Sequence, residues 1–183
     1  PPTGPWPASP PPPNRAPIVA SPNGERTFVQ NHPFEVDVTS GDTVFVDPDG
    51  DPLTYQVEIL NGPYGMVVDG TRIVGPATDP GFVIIDIWAS DGQNAAVRDG
   101  FQINILPNSA PAVVNPNPHQ LVSPGALIGH DATQGGSTFS DADGDELTYA
   151  VSIRGSSHAL TVTETHVNGT MPGVGLARVK ITA

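Results

Sequence analysis

Two stretches decide how this sequence is read: Phe45-Val-Asp-Pro-Asp-Gly-Asp-Pro-Leu-Thr-Tyr55 and Phe139-Ser-Asp-Ala-Asp-Gly-Asp-Glu-Leu-Thr-Tyr149. They carry one motif, displaced by 94 residues. Asn14-Arg-Ala-Pro17 and Asn108-Ser-Ala-Pro111 recur at the same displacement of 94. Two motifs sharing one offset mark an internal repeat of a single structural unit. The expected domains are 14–107 and 108–183, preceded by a proline-rich segment, 1–13.

Working outward from the motif, each copy runs into an alternating strand. Leu53, Tyr55, Val57 and Ile59 alternate with polar residues, and Leu147, Tyr149, Val151 and Ile153 do the same in the second copy. This is the period of a half-buried strand. Phe101, Ile103 and Ile105 alternate with Gln102 and Asn104, while Val83-Ile84-Ile85 and Trp88 read as a more buried strand. Asn61-Gly62-Pro63, Asp69-Gly70 and Gly75-Pro76 punctuate these runs as turns. With 22 Pro, 20 Gly and no sustained 3.6-residue period, the chain is all-β. Its 183 residues suit two small sandwiches.

The second copy is shorter than the first. Residues 177–183 match Val83–Ala89, so the 18 residues that would match Ser90–Pro107 do not follow. The second sandwich is expected to lack its final strand. Such a sandwich exposes an unpaired edge that a strand from another chain could fill. A continuation of the polypeptide beyond Ala183 is the alternative. Pro1–Pro13 reads as a stiff polyproline linker, or as a docking arm anchored on Trp6.

Nineteen acidic residues against seven Lys and Arg give a formal net charge of −12. Such a surface repels nucleic acid and anionic membranes and suits bound cations. No apolar run is long enough for a membrane span, and no signal peptide is found. Cysteine is absent, which excludes a disulfide framework and thiolate metal sites.

The acidity concentrates in the repeated loops. Asp47, Asp49 and Asp51 lie within five residues, as do Asp141, Asp143 and Asp145, each with a glycine to fold the loop. Like charges this close repel unless solvent or a cation separates them. Two readings stand: a solvated Asp-Gly turn, or a site for a hard divalent cation that takes oxygen ligands. The occurrence of the loop twice favours the cation. An EF-hand is excluded, because the glycine is fourth in the loop and the twelfth residue is Glu58 in one copy but Ser152 in the other.

The Asp-x-Asp-Gly-Asp-x-Leu-Thr-Tyr loop, the later Ala89-Ser-Asp91-Gly and the Asn-x-Ala-Pro segments resemble cadherin and the cadherin-like repeats of surface proteins. The resemblance spans about 14–183. It implies two tandem Ig-like, cadherin-like Greek-key β-sandwiches, the second lacking its final strand. It implies calcium (Ca2+) near the domain junctions. The ligands it implies are Asn14, Asp47, Asp49 and Asp91 in the first copy, and Asn108, Asp141 and Asp143 in the second. Asp51 and Asp145 are ligands or turn stabilisers. The counterpart of Asp91 in the second copy would fall past Ala183, so calcium is expected first in the first domain. The linker Leu106–Pro111 lacks the acidic residues of a full cadherin linker.

No catalytic motif is present, and the five histidines are scattered. Asn168-Gly169-Thr170 is the one glycosylation sequon and is expected at an exposed turn. Most aromatic residues read as core, with Trp6 and Tyr64 as candidate exposed rings. The expected function is a calcium-stabilised structural or adhesive module at the cell surface or in an extracellular filament, partnered by cell-surface proteins or other copies of itself. The alternatives are a filament subunit polymerising by donor-strand complementation, and an ancillary glycan-binding module of a secreted polysaccharide-degrading enzyme.

Overall fold

The computed structural model describes residues 9–62, 64–155 and 159–183. Trp6, His158 and most of the 1–13 segment lie outside the described residues. The chain divides into two compact units at Asn108/Ser109. Among the described residues every regular element is a strand, and none is a helix long and apolar enough to cross a membrane.

In the first unit the strands are β1 (Ile18–Val19), β2 (Arg26–Val29), β3 (Glu35–Asp37), β4 (Phe45–Val46), β5 (Thr54–Leu60), β6 (Val67–Asp69), β7 (Arg72–Val74), β8 (Gly81–Ser90) and β9 (Val97–Leu106). One sheet has the order β2-β9-β8-β5, with β2 parallel to β9 and the other pairs antiparallel. A second sheet has the order β3-β7-β6, and β1 pairs separately with β4. The inward face of β8 is Val83, Ile85, Ile87 and Ala89, all fully buried. They meet Phe101, Ile103 and Ile105 of β9 in one core with Val38, Phe45 and Ile73. Each large apolar side chain among them contributes about 1.5–3 kcal/mol by leaving water. Trp88 alternates to the other face of β8 and is half-buried, so the strand is buried mainly on one side.

The second unit has β10 (Ala112–Val113), β11 (Leu127–Asp131), β12 (Phe139–Ser140), β13 (Ala150–Arg154), β14 (Ala159–Thr163), β15 (His166–Thr170) and β16 (Arg178–Thr182). The repeat reproduces strand register. Gln56 faces Trp88 in the first unit, and Ala150 faces Thr182 in the second. Val19 faces Phe45, and Val113 faces Phe139. The Phe45–Tyr55 rings are 6.0 Å apart and the Phe139–Tyr149 rings 6.1 Å, at nearly the same tilt.

Among the described residues, β16 pairs with β13 alone. Residues 120–123, which correspond to β2, form no strand. In the first unit the corresponding segment, β2, pairs with β9. Among the described residues of this unit, Ala132, Val167 and Met171 are the buried apolar ones, while Leu121, Leu127 and Leu176 are exposed.

Candidate metal-binding loops

Each acidic loop connects a two-residue strand to the next long alternating segment. Its first aspartate organises it. Asp47 Oδ1 accepts the N–H of Asp49 at 2.8 Å and of Asp51 at 3.1 Å. Asp141 Oδ1 accepts the N–H of Asp143 at 2.8 Å and of Asp145 at 3.3 Å. Short Asp side chains fold turns in this way. The loop then needs a left-handed residue, and Gly50 (φ 83°) and Gly144 (φ 84°) supply it.

The other oxygen of each organising aspartate is inaccessible to solvent and accepts no hydrogen bond: Asp47 Oδ2 and Asp141 Oδ2. Asp47 as a whole is only 9% exposed. A buried carboxylate oxygen without a donor is costly. Its recurrence at repeat-related positions ties it to the loop design. A bound cation would satisfy it.

The middle acid of the first loop already has a partner. Asp49 Oδ2 accepts the backbone N–H of Arg15 at 2.7 Å, and Asp49 Oδ1 accepts Arg15 Nε and Nη2 at 3.0 and 2.7 Å. The Arg15 Nη2 also donates to the Pro48 carbonyl. The hydrogen bonds from this guanidinium and from the Arg15 N–H hold the Asp49 carboxyl below its ordinary pKa, against desolvation and, less strongly, the nearby charge of Asp91. In turn Asp49, by hydrogen bond and charge, and Asp47, by charge, raise Arg15 against a desolvation cost. Arg15, Asp47, Asp49 and Asp91 therefore form one electrostatic cluster.

Asp91 is held by amides. Its Oδ1 accepts the N–H groups of Gln93 and Asn94, both at 2.8 Å, and its Oδ2 accepts Asn94 Nδ2 at 2.8 Å and Asn14 Nδ2 at 2.9 Å. These bonds, those of Asn94 foremost, lower its pKa to about 2. Asn14 and Asp91 are thus brought together as a hydrogen-bonded pair. Asp51 is half-buried, and Asn108 is exposed at the end of the first unit. Among the described residues, no three acidic or histidine side chains converge as a ready-made metal cluster.

The second loop differs at one informative position. Ser109 stands where the first copy has Arg15. Its backbone N–H donates to Asp143 Oδ2 at 2.6 Å, repeating the Arg15 contact, but serine has no guanidinium to add. Both loops hold a buried, undonated oxygen, and the first has an arginine where an ion would compensate Asp49.

A second repeat-related pattern escaped the sequence reading. In Asp37-Val-Thr39-Ser-Gly41 and Asp131-Ala-Thr133-Gln-Gly135, the aspartate accepts the Thr N–H, the Thr hydroxyl and the Gly N–H. At Asp131 the Gly135 bond first, then those from Thr133, hold the carboxyl well below its ordinary range. At Asp37 burial pushes upward, but the bonds from Thr39 and Gly41 together win and the net shift is downward. Asn23 and Asn117 are a further matched pair, donating Nδ2 to the Val38 carbonyl at 2.8 Å and the Ala132 carbonyl at 2.7 Å. The signal for both was available in the same 94-residue offset.

Two expectations need correction. Asn168 does not lie at a turn: β15 is the middle strand of the sheet β11-β15-β14, and Asn168 is half-buried between Gly129 and Thr161. The alternation that buries Val167 carries the strand straight through the sequon. Tyr64 is not a free-standing ring but packs against the first unit's core.

No protein-family model matches this sequence, and no curated protein does. Among solved structures, human protocadherin-24 EC1-2 aligns with 86% of this chain and 79% of its own length, at 16% identity and a TM-score of 0.39. A PKD domain aligns with 57% of this chain and 98% of its own length, at 16% identity and a TM-score of 0.36. A Bacteroides fragilis protein described as an α-galactosidase matches half of this chain, at 19% identity and a TM-score of 0.37, and this chain spans only 18% of that protein. All three are loose likenesses.

Proposed function

We propose that this chain is a structural or adhesive module of an extracellular protein, built from tandem β-sandwiches whose acidic loops take calcium. The observation that carries the reading is the pair of buried oxygens without donors, Asp47 Oδ2 and Asp141 Oδ2, at matching positions of the two copies. Asp141, Asp143 and Asp145 would hold an ion in the second unit, and Asp47 and Asp51 in the first. Calcium takes six to eight oxygens, so backbone carbonyls and water would complete the shell. The ion neutralises carboxylates and stiffens the loop, which is a mechanical role rather than a chemical one. Melting of the intact chain in calcium and in chelator tests this. A higher midpoint in calcium is expected, and an unchanged midpoint counts against the metal.

A second reading has its own observation. The edge of β16 that corresponds to the β9-paired edge of β8 has no strand on it among the described residues, and Leu176 and Val179 nearby are exposed. Such an edge accepts an added strand. A strand resembling Phe101–Leu106, with apolar side chains at alternate positions, has the right chemistry. Sedimentation and micrographs of the purified chain test whether a second copy supplies it. Monomers alone at high concentration would remove polymerisation.

A further inference from the structure

We infer that Asn61 is a site of spontaneous covalent modification, where the backbone nitrogen of Gly62 displaces the side-chain amide, and that the fold blocks this reaction at the chain's other Asn-Gly pairs. Asn-Gly occurs three times, at Asn23-Gly24, Asn61-Gly62 and Asn168-Gly169. Glycine adds no side chain to hinder its own nitrogen, so all three pairs have the required chemistry. The reaction also needs freedom. The asparagine backbone must rotate until the glycine nitrogen faces Cγ, and Cγ must be open to it. The three environments differ in both respects.

Asn23 is clamped. Its Nδ2 donates to the Val38 carbonyl at 2.8 Å and to Asp99 Oδ2 at 3.0 Å, and its own N–H donates to Asp99 Oδ2 at 2.9 Å. Its Oδ1 is inaccessible to solvent. Asn168 is clamped by the backbone. Gly169 is paired to Ile128 on one side and to Leu160 on the other, so rotation there breaks a ladder in the middle of a sheet. The Ala159 carbonyl oxygen also lies 1.9 Å from where a Gly169 Cβ would be, which shows how closely the neighbouring strand approaches. Asn61 has neither restraint. It and Gly62 are exposed and follow the last residue of β5, Leu60. Both have left-handed backbone, φ 56° and 93°, and the space beside Gly62 is open. The Asn61 side chain makes one hydrogen bond, from Nδ2 to the Phe82 carbonyl at 3.2 Å, at the long end of the range.

The step balances without an oxidant or reductant. The Gly62 N–Cγ bond forms, the Cγ–Nδ2 bond breaks, and ammonia leaves with the proton from the Gly62 nitrogen. Water then opens the cyclic imide. Opening at Cγ gives aspartate, and opening at the Asn61 carbonyl carbon gives isoaspartate, whose backbone is longer by one carbon. Either product adds one negative charge and replaces the donor that faces the Phe82 carbonyl with an acceptor. Fraying at the Leu60–Ile84 end of the β5-β8 ladder follows.

Peptide mapping by mass spectrometry tests the inference on the intact chain aged in mildly alkaline buffer, folded and in urea. Exchange of NH2 for OH raises the peptide mass, whereas isomerisation at an Asp-Gly pair does not, so the two are not confused. In the folded chain Asn61 should convert faster than Asn23 and Asn168 by at least about tenfold, the factor that each 1.4 kcal/mol of opening cost imposes. In urea the three rates should converge. Asn23 or Asn168 converting as fast as Asn61 in the folded chain would overturn the inference, because the fold then makes no selection. Asn61 that stays intact in the folded chain but converts in urea would also overturn it, because the turn then protects it. A spread of rates that persists unchanged in urea would do the same, because local sequence and not structure would be responsible.

Discussion

Replacing Asp141 by asparagine should change the sign of its effect on stability with the calcium concentration. The substituted side chain would keep the acceptor that receives the Asp143 and Asp145 N–H groups. It would put an amide NH2 where the buried, undonated Oδ2 now lies. In chelator the substitution removes one of three neighbouring negative charges. A like-charge pair 4 Å apart costs about 1 kcal/mol in water, so D141N should match or exceed wild type by up to about that much. In calcium at about 100 times its dissociation constant, the wild type gains about 2.7 kcal/mol and the variant gains little. The second unit covers Ser109–Ala183. For a unit of this size about 1 kcal/mol moves the midpoint by roughly 4–8 °C, so calcium should raise the wild-type transition by about 10–20 °C. Differential scanning calorimetry of both chains, in chelator and in calcium, reads the crossing directly. A D141N chain that is less stable than wild type in both conditions would refute the reasoning, because Asp141 would then serve the turn and not an ion.

Other consequences follow from the same geometry. Asp91, Asp131, Asp37 and Asp49 all have carboxyls held below their ordinary pKa in the folded chain. Their contribution to stability is complete above the ordinary value of 3.8 and is lost as pH falls through the folded pKa, about 2 for Asp91. Denaturant midpoints measured from pH 5 down to about 2 should therefore fall steadily, and a flat profile would contradict these assignments. In the second unit, a Cβ at Gly169 would sit 1.9 Å from the Ala159 carbonyl oxygen, at a backbone φ of 131°. G169A should abolish the second unit's transition, or lower it strongly, while leaving the first unit's melt in place. I85A, in the fully buried row of β8, should cost about 2–5 kcal/mol in the first unit by urea unfolding.

Much of the fold was legible because the repeat acts as its own control. The Phe-to-Tyr stretch specified a strand end, a turn and an alternating strand, and both copies show the same ring contact and the same register. The position of Asn168 was not legible. Short strands rich in Thr and Gly look like turns, and only pairing on both sides makes His166–Thr170 a central strand. Trp88 was expected in a buried strand, but it falls on the half-buried face of β8 because the inward set is Val83, Ile85, Ile87 and Ala89.

The candidate site was legible in its acids and illegible in its partners. Asp47, Asp49 and Asp91 stand out by type and spacing. Arg15 stands 34 positions from Asp49, and nothing local in the sequence couples them. The pairing arises because β1 runs antiparallel to β4, which brings the chain before β1 to the loop after β4. Asn94 was missed for the opposite reason. It lies so near Asp91 that it reads as turn filler, yet it donates both its N–H and its amide to that carboxylate.

The most direct test follows the backbone amides of the isotopically labelled intact chain by NMR during a calcium titration. The calcium reading predicts that the amides of Asp49, Gly50 and Asp51 and those of Asp143, Gly144 and Asp145 shift as calcium is added. The absence of any shift in either loop would contradict the calcium assignment.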